Sequence, residues 1–253
     1  MTDVLIIGAG HNGLVCAAYL ARAGMDVLVL EASDSAGGMS APRTVSDDYR
    51  FPGLAHVTYP VSKAIRKDLQ LDRYGYEAGT AIDTISLNAD GRHLVIGSNS
   101  VAGADLPDSD AAAFPAFKAK YLEFARKIEP LFNNKPPRLK NMGVADARTL
   151  ARLGWNIRMG LGKEAMYEFL RVAAINIYDV LDEIFEDERL KGAIAADAVI
   201  GSAMGPRTPG TVLTWLQRLQ GELNGTLSCQ GGAQLVHALT QSTEDAGATI
   251  RFD

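Results

Sequence analysis

Cysteine is scarce in this chain: Cys16 and Cys229 are the two in 253 residues. Two cysteines cannot build a disulfide framework, and neither has the Cys-x-x-Cys partner of a redox-active pair. Cys16 falls within an apolar helical stretch and is expected to be a small core residue. Histidine is equally sparse. His11, His56, His93 and His237 show no ligand spacing, so no metal site is expected. Long apolar runs are missing as well, none reaching the ~18 residues of a membrane span. The first apolar run starts at residue 4 with no leader pattern before it, and a soluble, cytoplasmic protein is the expectation. Positive charge is in deficit. The net charge is −5 and the pI about 5.4, which argues against a nucleic-acid partner. The Lys-Pro-Pro-Arg-Leu-Lys run at residues 135–140 reads as a solvated loop. There is no internal repeat and no low-complexity tract.

What is present is an ordinary globular balance, 47% hydrophobic and 22% charged, in a length that suits one large or two modest domains. The informative stretch is the first thirty residues. Val4–Ile7 is a short aliphatic and β-branched run, suited to a strand buried on both faces. Gly8, Gly10 and Gly13 follow as G-x-G-x-x-G, with His11 and Asn12 between them. In a dinucleotide fold the first glycine permits a tight turn, the second lets backbone approach a pyrophosphate, and the third lets helix pack on sheet. A helix over residues 12–23 would end at Gly24 and present its positive N-terminal end to the phosphates. Residues 27–30 form the second strand and Glu31 closes it. A carboxylate there accepts ribose hydroxyls and repels a 2′-phosphate, which disfavours NADP. Spacing alone leaves FAD and NAD open.

Further along, residues 39–54 are rich in turn formers and are expected to loop back over the nucleotide. Arg43 either reaches a phosphate or is a plain exposed arginine. Residues 62–71 carry a helical pattern. Residues 82–87 and Leu94–Ile96 flank an Asp-Gly turn and read as a β-hairpin, which belongs in an antiparallel layer apart from a parallel sheet. Residues 98–111 are small and polar. A long helix is expected over residues 111–132, started by Asp108 and broken by Asn-Asn-Lys-Pro-Pro. Residues 145–190 are mostly helical, with the acidic cluster at 182–188 as a solvated helix face. The Gly/Pro-rich segment 201–210 either lines a cavity or simply connects two helices. Residues 230–253 read as loop, helix, glycine and strand.

An acid followed shortly by Gly37-Gly38 resembles the flavin signature of the amine-oxidase and phytoene-desaturase types. The stretches beginning at Gly8, Gly205, Gly221 and Gly231 narrow the likeness. The chain resembles the phytoene dehydrogenase/desaturase-related FAD-dependent oxidoreductases, nearest to their pyridine nucleotide-disulfide oxidoreductase domain-containing branch, and looks like the N-terminal half of such a protein. The resemblance covers nearly the whole chain, although Met39 stands where the amine-oxidase branch has an arginine. It implies an α/β fold: a Rossmann-like FAD-binding domain over 1–80 and 225–253, with an inserted α+β domain over 81–224 for substrate. It implies FAD as cofactor, held by Gly8, Gly10, His11, Asn12, Gly13, Glu31, Ala32, Gly37, Gly38, Met39 and Arg43. Hydride abstraction from a small, apolar substrate follows, a chemistry that needs no side-chain nucleophile; no catalytic base is named. Peripheral membrane contact, an NAD-dependent dehydrogenase and a non-catalytic dinucleotide-binding module stay open.

Overall fold

The computed structural model describes residues 1–46, 49–52, 54, 61–77, 82–133, 135–138, 140–224 and 232–253. Two compact units emerge. One comprises residues 1–82 and 224–253, the other residues 83–223. His56, Cys229 and Gly231 lie outside the described residues.

The first unit begins with β1 (Val4–Ile7), α1 (His11–Arg22) and β2 (Val27–Glu31). β1 and β2 pair in parallel, Val4 opposite Val27. α1 stops where its composition says it must: Gly24 follows the cap at φ +87°, a conformation costly for any side chain. β3 (Arg43–Ser46) and β4 (Tyr49–Phe51) form an antiparallel pair where a loop was expected. α2 (Lys63–Asp68) is shorter than the apolar pattern suggested. Gln70 turns left-handed at φ +53° and residues 71–74 continue as a 3-10 turn, while Leu69 and Leu71 still enter the core.

The second unit opens with β5 (Thr84–Ser86), β6 (Leu94–Ile96) and β7 (Val101–Gly103), an antiparallel meander. The expected hairpin is its first half. β7 escaped notice because it buries one residue, Val101, and contains Gly103, where a Cβ would lie 2.5 Å from the Leu94 side chain. Then come α3 (Asp108–Asn133), α4 (Val144–Gly160), α5 (Gly162–Val172), α6 (Ile177–Asp182), α7 (Glu188–Val199) and α8 (Thr211–Asn224). α3 buries Phe114, Phe117, Tyr121, Phe124 and Ile128, and α8 buries Val212, Trp215, Leu216 and Leu219, both at helical spacing. Phe117 stacks on Trp215 with centroids 5.2 Å apart and meets Phe185 edge-on at 5.0 Å. Such geometry adds about 0.5–1.5 kcal/mol per pair beyond area burial.

The acidic cluster at 182–188 does not lie on one helix. Residues 183–187 interrupt it, because buried Asp110 accepts the backbone N–H groups of Glu186 (3.0 Å) and Asp187 (2.8 Å), and Asp187 caps α7. Phe185 turns into the core. Segment 201–210 is a tied connector. The Gly210 N–H donates to the Ile175 carbonyl (3.1 Å), the Ile177 N–H to Thr211 Oγ1 (2.8 Å), and Arg207 lies 3.8 Å over the Tyr178 ring.

The chain then returns to the first unit as α9 (Ala233–Asp245) and β8 (Thr249–Phe252), which pairs in parallel with β2. The sheet order is β1-β2-β8. Leu14, Ala17, Ala18, Val236 and Leu239 of the two helices share one core with Val27 and Val29. Ser242 Oγ donates to the Leu69 carbonyl at 2.8 Å and fastens α9 to the turn after α2. Two expectations need correction. Cys16 is exposed, because it faces away from the stripe of Leu14, Ala17, Ala18 and Ala21. β1 is covered on one face only among the described residues: Val4 and Ile6 point to the helices, whereas Leu5 is 54% and Ile7 86% exposed.

The Tyr121 hydroxyl is buried and, among the described residues, has no hydrogen-bond partner. Burial pushes its pKa up. Tyr121→Phe keeps the ring contacts and removes the orphan group, so it is expected to stabilise the protein by about 1 kcal/mol in urea titration. The gain should widen as the pH rises past the ordinary tyrosine range, where the unfolded phenol ionises and the buried one does not. Trp215→Ala is expected to cost about 3–5 kcal/mol in the same assay.

Candidate dinucleotide site

The site is built from the end of β1 outward. Gly8 sits at φ +97° and its N–H donates to the Leu30 carbonyl at 2.7 Å. A Cβ on Gly13 would overlap the Gly8 carbonyl oxygen, so α1 reaches this close to the strand end only because residue 13 has none. Gly10 is different. It precedes the helix at φ −69°, ψ 165°, a conformation open to other residues, and a Cβ there would meet nothing within 4 Å. No side chain caps this end of α1. The first helical bond runs from the Leu14 N–H to the Gly10 carbonyl at 3.0 Å. The N–H groups of His11, Asn12 and Gly13 therefore have no partner within the helix, at the positive end of its dipole. His11 is half-buried, its Nδ1 3.5 Å from Ser40 Oγ, and Asn12 is exposed.

Glu31 ends β2 beside this turn. Its Oε2 accepts the Ala9 N–H at 2.6 Å and its Oε1 the Ser33 N–H at 3.0 Å. The Ala9 bond chiefly holds the carboxyl below the ordinary glutamate range, against the opposing effect of burial; the Ser33 and Ala32 N–H groups add to it. Glu31 thus pins the glycine turn to the strand, and each oxygen keeps capacity for a further donor. Gly37 and Gly38 cross the same turn. The Gly37 N–H donates to the Ala9 carbonyl at 2.8 Å, and Gly37 bridges Gly10 in parallel. Gly37 adopts φ +122° and a Cβ there would lie 2.8 Å from the Val236 side chain; Gly38 adopts φ +55° with a Cβ 3.3 Å from Gly10 Cα. Close chain-on-chain packing is thus a reason of its own for both glycines.

The fold therefore gathers Gly8, Gly10, His11, Gly13, Glu31, Gly37 and Gly38 at one end of the parallel strands. Met39 is 65% exposed. Arg43 is exposed on β3 and forms no ion pair among the described residues. Support comes from residues outside the expected set of cofactor contacts. Buried Ser40 lies against Gly232, where a Cβ would come within 2.5 Å of the Ser40 carbonyl oxygen, and Val236 closes over Gly37. Both α9 contacts lie about two hundred residues downstream, beyond any local signal.

Residues 6–70 match the family model described as an NAD(P)-binding Rossmann-like domain. Pyridine nucleotide-disulfide oxidoreductase domain-containing protein 2 of Mus musculus is 30% identical over 271 residues, covering 98% of this chain and 46% of its own length. The first unit thus carries a Rossmann-like dinucleotide-binding domain, and nearly the whole chain is similar to that relative. It spans about half the length of the curated relatives that match it from end to end and corresponds to their N-terminal half. Amine oxidase [flavin-containing] A of Sus scrofa is 40% identical over 77 residues, 29% of this chain and 15% of its own. Putrescine oxidase, solved with putrescine bound, has the same fold at a TM-score of 0.54 and 15% identity, covering 99% of this chain and 50% of that one.

Because Glu31 has a lowered pKa in the folded state, the stability it contributes is present above the ordinary glutamate range and lost as the pH falls through the lowered value. Glu31→Gln places an amide N–H₂ against one of two N–H donors. The variant is expected to melt lower at neutral pH and to lose less on acidification than the unaltered chain, read from melting temperature against pH.

Proposed function

We propose that the first unit binds FAD and belongs to an FAD-dependent oxidoreductase of the phytoene desaturase-like type, taking hydride from an apolar substrate. The observation that carries this reading is the open space at Gly10 in front of an uncapped helix start, beside a strand-terminal carboxylate. A diphosphate fits that arrangement: three outward N–H groups and the dipole supply attraction, and the missing side chain supplies access. Glu31 has lone pairs left for ribose hydroxyls after holding Ala9 and Ser33. Arg43, exposed on β3, is the cation this reading assigns to the phosphates. Met39 and Ala32 contribute apolar surface alongside.

Flavin is favoured over nicotinamide by the likeness of 29% of the chain to a flavin-containing amine oxidase. When bound, a flavin supplies a hydride acceptor at N5; the residues of this chain bind and orient it. The description of the matching family model keeps NAD as the second reading.

Denaturing the purified chain and analysing the released small molecule by absorbance and chromatography tests the assignment. FAD at near one per chain, or tight uptake of added FAD, is expected. Nicotinamide nucleotide instead, or no uptake of FAD by a folded chain, overturns it. Two variants separate site from scaffold. Gly10→Val is expected to retain the melting temperature within a few degrees and lose the cofactor. Gly13→Val is expected to unfold the first unit, because its side chain has to displace the Gly8 carbonyl.

A further inference from the structure

The second unit carries a surface of a different kind. Among the described residues the outward side of α4 is basic and apolar together. Val144, Trp155 and Met159 are 72%, 67% and 59% exposed. At 100° per residue they fall within one arc with Arg148, Arg152 and Arg158, also exposed, while Leu153 and Ile157 on the opposite side pack against the aromatic core. Asp146 is the sole carboxylate of α4. It is spent on the backbone, accepting the N–H groups of Gly143 and Arg138, away from the arginine arc. None of the three arginines pairs with a carboxylate among the described residues. Beside them Arg126, Lys127, Trp155, Asn156, Met159 and Gly160 line an open groove of about 400 Å³. Between residues 135 and 163 the chain holds seven basic residues and one acidic, although its net charge is −5.

A large exposed tryptophan ringed by arginines, with Met and Val in the same arc, is the composition of a helix that lies in a membrane interface. The rings and aliphatic groups enter the headgroup boundary and the arginines meet lipid phosphates. A nucleic acid would satisfy the charges but leave Val144 and Met159 in water. We infer that the outward face of α4 docks the protein on an anionic phospholipid surface, using Trp155 as the interfacial anchor and Arg148, Arg152 and Arg158 as the electrostatic contacts. Lys135, Arg138 and Lys140, expected from sequence to lie in a solvated loop, would add to the same charge.

The inference does not depend on the cofactor assignment and is tested without it. The probes are vesicles of phosphatidylcholine alone or with about one third phosphatidylglycerol, at low and physiological salt. Trp155 reports directly, since Trp215 is buried. Expected are co-sedimentation with the anionic vesicles, a blue shift of tryptophan emission that Trp155→Phe abolishes, and weakening by salt. Arg148→Gln/Arg152→Gln should weaken binding by roughly tenfold or more with an unchanged circular dichroism spectrum. The inference fails if the chain ignores anionic vesicles, if it binds neutral and anionic vesicles equally, or if the double variant binds as the parent does. Tighter binding of single-stranded RNA than of vesicles, lost in the same double variant, would assign the face to nucleic acid instead.

Discussion

The first unit depends on a contact that one missing carbon makes possible. With hydrogen at Gly13 the start of α1 can rest on the Gly8 carbonyl. That contact sets where the helix axis points, and so where its free N–H groups lie relative to the ends of β1 and β2. Everything else near the site is arranged around it. Glu31 ties Ala9 to β2, the Gly37–Gly38 segment lies across the turn, and α9 clamps that segment through Val236 and Gly232. The turn is thus fixed by three layers of chain, which is what a site needs if its backbone amides are to be rigid donors.

What could be read from sequence and what could not divide along a physical line. β1, α1, β2, the β5–β6 hairpin, α9 and β8 were legible because each is specified locally, by a run of apolar residues, a helical stripe or a glycine at a positive φ. The stop between α6 and α7 was not. It is imposed by Asp110, some seventy residues earlier, whose carboxylate offers the backbone of Glu186 and Asp187 a better partner than the next helical turn. β7 was missed for the converse reason, since a three-residue strand held by its neighbour needs almost no pattern of its own. At the site, the glycines and Glu31 were legible, but the first duty of Glu31 was not. A carboxylate expected as a ribose acceptor is, in the structure, a clamp on the glycine turn, and only the Ala9 distance reveals it.

The exposure of β1 qualifies the same lesson. Its residues are apolar on both faces, the composition of a strand inside a doubly covered parallel sheet, while the described residues cover one face. Burying a residue such as Ile7 is worth about 1.5–3 kcal/mol, so an uncovered Leu5 and Ile7 leave stabilisation unrealised. Periodicity reports the environment a segment is suited to. Whether that environment is present is a question of tertiary cover, and it separates the well-packed helical face of this sheet from the other.

Comparing the glycines with one another sharpens where a ligand belongs. Gly8, Gly37 and Gly38 are held at positive φ, and Gly13, Gly37 and Gly232 have protein atoms where a Cβ would be. Each of these has a sufficient reason within the fold. Gly10 has neither: its backbone angles suit any residue and the space where its side chain would stand is open. Glycine before a helix costs conformational entropy that serine or aspartate would offset by capping. Its use here, in front of three free amides, is what the proposed dinucleotide would require. Among the three glycines of this turn, Gly10 is the one whose missing side chain the packing of the fold does not itself require.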